Sequence, residues 1–160
     1  MPDDPIESLE WNLWSDSLQG LLRQHAAGLS LESCLRLAYH LAVLAPSPFS
    51  QIVDAGCDEK LFEGLLAEGE YDAAVICLMG QAVSFEVARQ PRSHQVVARA
   101  WLAEFPEGRG TAASSAPALL TAWLELLASF RPPRTPVGRG NPSGDRSRSQ
   151  SGRHRKRSSH

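Results

Sequence analysis

The sequence has no paired cysteine motif, no long apolar run and no complete cluster of metal-ligating residues, and each absence narrows what the chain can be. Its three cysteines, Cys34, Cys57 and Cys77, form no C-x-x-C pair. An odd count without a pairing pattern argues against a secreted disulfide framework, so each is read as a small buried hydrophobe. The N-terminus, Met1-Pro2-Asp3-Asp4-Pro5, is acidic and lacks an apolar h-region, so no signal peptide is expected. The longest apolar stretch, Leu35 to Ala45, is interrupted by Arg36 and His40. It falls far short of the roughly 20 residues that span a bilayer. These absences predict a soluble cytoplasmic protein without a membrane contact.

What remains is an ordinary globular composition with an uneven charge. The chain has 160 residues, 42% of them apolar and 21% charged, which suits one core. The formal net charge of -2 conceals a partition. Residues 131–160 hold nine basic residues against the single Asp145, a net +8, while residues 1–130 sum to -10. Pro, Gly, Ser and Arg dominate the last thirty residues, and Val137 is their only aliphatic side chain. Such a segment cannot bury enough apolar surface to offset the entropy of ordering. The expected organisation is an acidic globular domain over 1–130 and a disordered basic tail over 131–160.

The first half reads as helices. Trp14, Leu18, Leu21, Leu22 and His25 fall on one helical face between Pro5 and Gly28. Gly28 suits the stop and Ser30 the next N-cap. Leu31, Cys34, Leu35, Ala38, Leu41, Ala42 and Ala45 then recur at three and four, until Pro46 and Pro48 end the pattern. Asp58 is the N-cap of a helix through Ala67, and Gly69 stops it. A further helix starts at Glu70-Tyr71-Asp72 and runs to about Met79. Gly69 to Ala74 looks like the turn of a tetratricopeptide hairpin, but a repeat array needs about three units and only one is present.

The stretch from Gln81 to Ala113 admits two readings. Val83, Phe85 and Val87 alternate with polar or small residues, as in a half-buried strand. Pro91-Arg92-Ser93-His94 reads as a turn. Gln95 to Phe105 follows as a strand with Val97, Trp101, Ala103 and Phe105 on its buried face, or as a helix capped by Ser93. The hairpin is preferred. Pro106 to Gly110 reads as a turn, and Ser114 or Ser115 then caps a helix with Pro117 in its first turn. Its apolar stripe is Leu119, Leu120, Trp123, Leu126, Leu127 and Phe130. The fold class expected is α+β, with N-terminal helices, a β-hairpin and a C-terminal packing helix. The alternative is all-α.

The run Trp101-Leu102-Ala103-Glu104-Phe105, then Thr111-Ala112, then Ala116-Pro117-Ala118-Leu119-Leu120-Thr121-Ala122-Trp123-Leu124 resembles small alpha-beta-beta-alpha units of bacterial and prophage proteins, of the phage ABA-sandwich type. The resemblance spans Leu65 to Phe130. It implies a fold and a bacterial or phage setting, with no activity and no catalytic residues. The long helical N-terminal half and the basic tail depart from that pattern. A double-stranded-RNA-binding domain shares the hairpin-then-helix order but relies on lysines at the helix start. Here the helix starts Ser114-Ser115-Ala116-Pro117, and the -10 body opposes phosphate.

Pieces of chemistry are present without a constellation. Cys34 with His40, Cys57 with Asp58, and Ser93 with His94 are the candidate pairs for nucleophilic catalysis. Six residues on a straight helix put Cys34 and His40 on different faces. Asp54, Cys57, Asp58 and Glu59 come closest to a metal cluster. Asp58 and Glu59, however, are explained by the helix start, and no second pair completes a set. Gly108-Arg109-Gly110 lacks the Gly-Lys-Ser/Thr ending of a phosphate loop. No enzyme activity, metal or cofactor is expected. Two binding features stand out. Trp11 and Trp14, beside Asp3, Asp4, Glu7 and Glu10, would form an exposed aromatic site for another protein. Arg146, Arg148, Arg153, Arg155, Lys156 and Arg157, interleaved with serines, could track a nucleic-acid backbone. The function read from sequence is a small non-enzymatic binding protein that contacts another protein through its acidic body. The alternative is a nucleic-acid-associated accessory protein that works through the tail.

Overall fold

Cap residues and apolar stripes fix the helical half. The computed structural model describes residues 5–131, with side-chain environments from Leu9 onward. The basic cluster Arg146 to Arg157 therefore lies outside the described residues. Helix α1 covers Pro5–Ala26 and α2 covers Leu31–Val43, with Gly28 between them at φ 95°. The Ser30 hydroxyl accepts the Ser33 N–H and supplies the expected N-cap. After Pro46 a short 3₁₀ turn, Phe49–Gln51, buries Phe49. Helix α3 spans Glu59–Ala67, capped by Asp58, whose carboxylate accepts the Leu61 N–H at 2.8 Å. Gly69, at φ 74°, turns the chain into α4, Tyr71–Met79.

The α+β class holds, with three strands where a two-stranded hairpin was expected. Strands β1 (Ser84–Arg89), β2 (Val96–Trp101) and β3 (Gly108–Ala112) form an antiparallel sheet in the order β1-β2-β3. Helix α5, Ser115–Ala128, lies across β3 and β2 and scarcely reaches β1. Three expectations are corrected. The Pro106–Gly110 turn is a corner only as far as Glu107, because Gly108 starts β3. The strand from Gln95 to Phe105 ends at Trp101, and its buried face is Val96, Ala98 and Ala100 rather than Val97, Trp101, Ala103 and Phe105. The half-buried strand around Val83, Phe85 and Val87 is exposed on both faces from Ser84 to Arg89.

One cause links the first two corrections. Helix α5 sits so close to the sheet that only hydrogen or methyl fits beneath it. A Cβ added at Gly110 would overlap the Ala118 carbonyl oxygen and stand 2.8 Å from the Thr121 Cβ and 2.9 Å from the Ala122 nitrogen. A Cβ at Gly108 would overlap the Ala122 carbonyl oxygen. The bulky residues of β2 therefore face away from α5. There the Arg99 guanidinium lies 5.9 Å from the centre of the Trp101 ring, between Glu86 and Glu107. The apolar stripe of α5 is buried as expected, Leu119, Leu120, Trp123, Leu126, Leu127 and Phe130 included.

Candidate functional site

The two sequence-nominated tryptophans do not form an exposed pair. Trp14 is buried, and its indole N–H donates to the Leu41 carbonyl of α2 at 2.8 Å. Trp11 is half-buried and packs on Phe49 at 4.8 Å and on Trp14 at 5.5 Å between ring centres. Phe49 in turn stacks on Phe130, which meets Phe105 at 4.5 Å. These rings form an aromatic seam that ties α1 to the end of α5. Trp14 sits there because it heads the apolar face that continues through Leu18 and Leu21.

The exposed apolar surface nearby belongs to leucines that sequence reasoning passed over. Leu9 and Leu13, one turn apart on α1, are 59% and 60% exposed. Leu37 on α2 and Leu44 just past its end lie two turns apart and are 42% and 70% exposed. The connection after Ala26 is short, so α1 and α2 are antiparallel neighbours. The Trp14–Leu41 bond sets their register and brings Leu13 level with the last turn of α2. Leu9 and Leu13 on α1 and Leu44 at the end of α2 are thus left outward, with the exposed carboxylates of Glu10 and Asp16 also on α1, whereas Val43 borders a separate groove with Ser50, Val53 and Asp54. The signal was available in the sequence: these leucines fall off the buried stripes of both helices yet stay apolar.

A groove lies between the end of α1, strand β3 and one side of α5. Open to solvent, it has a volume of about 600 Å³ and is lined by Gln19, Arg23, His25, Thr111, Thr121 and Glu125, among others. The His25 Nε2–H donates to the Pro117 carbonyl at 3.3 Å, and the Thr121 hydroxyl donates to the same oxygen at 2.9 Å. The other ring nitrogen, Nδ1, is buried without a hydrogen-bond partner among the described residues. No cysteine or serine is among its lining residues, and the Thr121 hydroxyl is already bonded to the Pro117 carbonyl.

The remaining candidate pairs are separated or already occupied. Cys34 is fully buried, whereas His40 points to solvent. Burial pushes the Cys34 thiol up, away from the reactive thiolate. Its Sγ faces the Leu29 carbonyl at 3.7 Å. Ser93 donates to the Gln90 side-chain oxygen, and His94 takes φ 56° in the β1–β2 turn. Asp58 is occupied as the α3 cap. Among the described residues no group of three or more His, Cys, Asp or Glu side chains is arranged to hold a metal ion.

The cysteines require a correction. Cys57 and Cys77 are joined as a disulfide, with Cα atoms 5.8 Å apart, and Cys34 alone is free. The pairing is tertiary and leaves no local motif. The Gly56 N–H donates to the Cys77 carbonyl at 2.7 Å and draws the loop before α3 against the end of α4. Gly80, at φ 69°, has its Cα so near the Asp54 carbonyl that no Cβ would fit. The 20-residue separation is spanned by the α3–α4 hairpin folding back on itself.

Charged side chains fasten the elements from outside. Arg36 of α2 bridges Glu32 and, through paired hydrogen bonds of 2.9 to 3.1 Å, Glu63 of α3. The guanidinium holds the Glu63 carboxyl below its ordinary range. Glu107, at the β2–β3 corner, takes Arg99 and Arg109 together, and both lower its pKa, Arg99 more. Being exposed, these pairs add little to stability. Among the described residues no helix is long and apolar enough to cross a membrane. No family model matches this chain, and neither the curated proteins nor the solved structures hold a match to it.

Proposed function

We propose that the chain is a non-enzymatic adaptor whose acidic body docks another protein at the open end of the α1–α2 hairpin. The observation that carries this reading is the outward leucines, Leu9 and Leu13 on α1 and Leu44 at the end of α2, each more than half exposed. Large apolar side chains left outward on neighbouring elements favour a contact site. Two antiparallel helices present a shallow furrow, and a third amphipathic helix fits such a furrow through anchors at i, i+3, i+4 and i+7. Glu10 and Asp16 on the rim favour a helix that carries lysine or arginine beside its apolar face. The partner class is therefore a basic amphipathic helix within another protein.

The test compares the full chain with a Leu13→Glu/Leu44→Glu double variant as baits in one cell extract. The expected result is a discrete set of proteins held by the parent and released by the variant, with both baits equally helical by circular dichroism. Identical captured sets would refute the reading. A cytoplasmic setting belongs to the same proposal and is tied to the cysteine pair. In a reducing compartment Cys57 and Cys77 stand as thiols, and the bonded form belongs to an oxidising one.

A second reading rests on the charge partition. The Arg146–Arg157 cluster would give nucleic-acid phosphates a basic ligand that is separate in sequence from the acidic residues of 1–130. Replacing its six cations by serine would abolish retention on single-stranded DNA at low salt if the tail is that ligand. Unchanged retention would exclude it.

A further inference from the structure

We propose that β1 pairs edge to edge with β1 of a second copy of this chain, joining two three-stranded sheets into one six-stranded sheet. The strand occupies one end of the sheet order, and all six of its residues are exposed. Natural edge strands are protected by proline, charged side chains (lysine above all), a bulge or a covering element. Ser84-Phe85-Glu86-Val87-Ala88-Arg89 contains neither proline nor lysine, and its two charged residues, Glu86 and Arg89, have opposite signs. Its register with β2 is unbroken from Ser84 to Arg89, so no bulge turns it aside. Helix α5 covers β2 and β3 and leaves Phe85 and Val87 each 39% exposed.

The ladder phase shows what the open edge offers. The Gln90 N–H donates to the Gln95 carbonyl at 2.8 Å. Antiparallel ladders alternate bonded and non-bonded pairs, so Ala88 and Glu86 also turn their backbone groups toward β2. Phe85, Val87 and Arg89 therefore turn their N–H and C=O groups outward. Opposite these three residues on β2 stand Ala100, Ala98 and Val96, all buried beneath α5. The side chains of Phe85, Val87 and Arg89 thus share the α5 face of the sheet.

Charge selects the occupant and the register. A two-fold axis at Val87 sets Val87 against its own copy and Phe85 against Arg89, and every outward backbone group in these pairs finds a partner. Arg89 then reaches the phenyl ring of Phe85 in the second copy, a cation–π contact. Glu86 faces Ala88. An axis at Glu86 would instead oppose two glutamates, which is unfavourable. The strand is therefore complementary to itself in the Val87 register. A six-residue ladder buries less than the roughly 1,200 Å² of standard interfaces, so the dimer is weak and concentration-dependent.

Sedimentation of the full chain over a wide concentration range tests this. A monomer–dimer equilibrium is expected, and Val87→Lys should weaken it roughly tenfold or more, since a lysine at an edge opposes pairing. Because Val87 is exposed, the variant should keep the parent's circular dichroism. Independently, Val87→Cys under mild oxidation should give a reducible covalent dimer, as directly opposed bonded residues lie about 5.5 Å apart between Cα atoms. The Leu13→Glu/Leu44→Glu variant should dimerise like the parent, which separates this surface from the adaptor site. A chain that stays monomeric at its highest soluble concentration overturns the inference. So does a dimer indifferent to Val87→Lys, a Val87→Cys chain that does not cross-link, or a dimer abolished at the leucines.

Discussion

Gly110→Ala offers the sharpest test of how the sheet and α5 meet. By strand propensity alone, alanine should be the better residue, because glycine loses more backbone entropy on folding and offers no side chain. The structure reverses that sign. The new methyl would overlap the Ala118 carbonyl oxygen and stand 2.8 Å from the Thr121 Cβ. Carbon atoms pack at about 3.5–4.0 Å, so α5 must retreat by on the order of 1 Å. The obstacle is helix backbone, with no flexible side-chain end to swing away. Overpacking costs about 1–3 kcal/mol, and an immovable neighbour places this variant near 3. Domains hold only about 5–15 kcal/mol in all. Urea unfolding followed by circular dichroism would read the loss as a lower midpoint at unchanged slope. The matched control is Gly64→Ala in α3, where nothing lies within 4 Å of the added Cβ. It should gain about 0.5–1 kcal/mol through helix propensity. If Gly110→Ala lies within about 0.5 kcal/mol of the parent, the close contact with α5 is wrong.

Other measurements probe separate features. Trp14→Phe removes the donor to the Leu41 carbonyl and should cost about 1–3 kcal/mol in urea unfolding, since that acceptor is left part-buried without its partner. Thiol titration of the oxidised, denatured chain should find only Cys34, and all three cysteines after reduction. Reduction should then lower the unfolding free energy by about 3 kcal/mol, as expected for a loop of this length, and an unchanged midpoint would refute the link. Glu107 should titrate below the ordinary 4.5 in the folded chain, and Arg99→Ala should raise it. The sign follows from linkage: a depressed carboxyl adds stability that is complete above 4.5 and is lost as pH falls through the folded value. Carboxyl NMR shifts that place Glu107 at or above 4.5 in the parent would remove the arginine pairing.

Local rules carried the helices. Ser30 and Asp58 cap where their side chains predict, and Gly28 and Gly69 end helices at positive φ. The stripe on α5 is buried residue for residue because one face of a long helix has a single place to go. The sheet was harder to read. Gly108-Arg109-Gly110 has the composition of a turn, and it forms a strand because a helix lies on it at backbone distance, a tertiary fact absent from the tripeptide. The same proximity inverted the face of β2: bulk was expected inside, whereas Ala98 and Ala100 fit under α5 and Trp101 does not. The Cys57–Cys77 pair escaped notice because no spacing rule encodes two turns of chain meeting across a helical hairpin. For the candidate site, the tryptophans drew attention as large aromatics, yet size is what places Trp14 in the core. The surface signal lay in the leucines off the buried stripes.

The contact at Gly108 and Gly110 also bears on motion. Helices usually rest on sheets through rotamers that can hop and so absorb small displacements. Here main chain meets main chain, and no such cushion intervenes. A slide or tilt of α5 must carry β3 with it, so helix and strand form one stiff plate from Ser115 to the Pro106 corner.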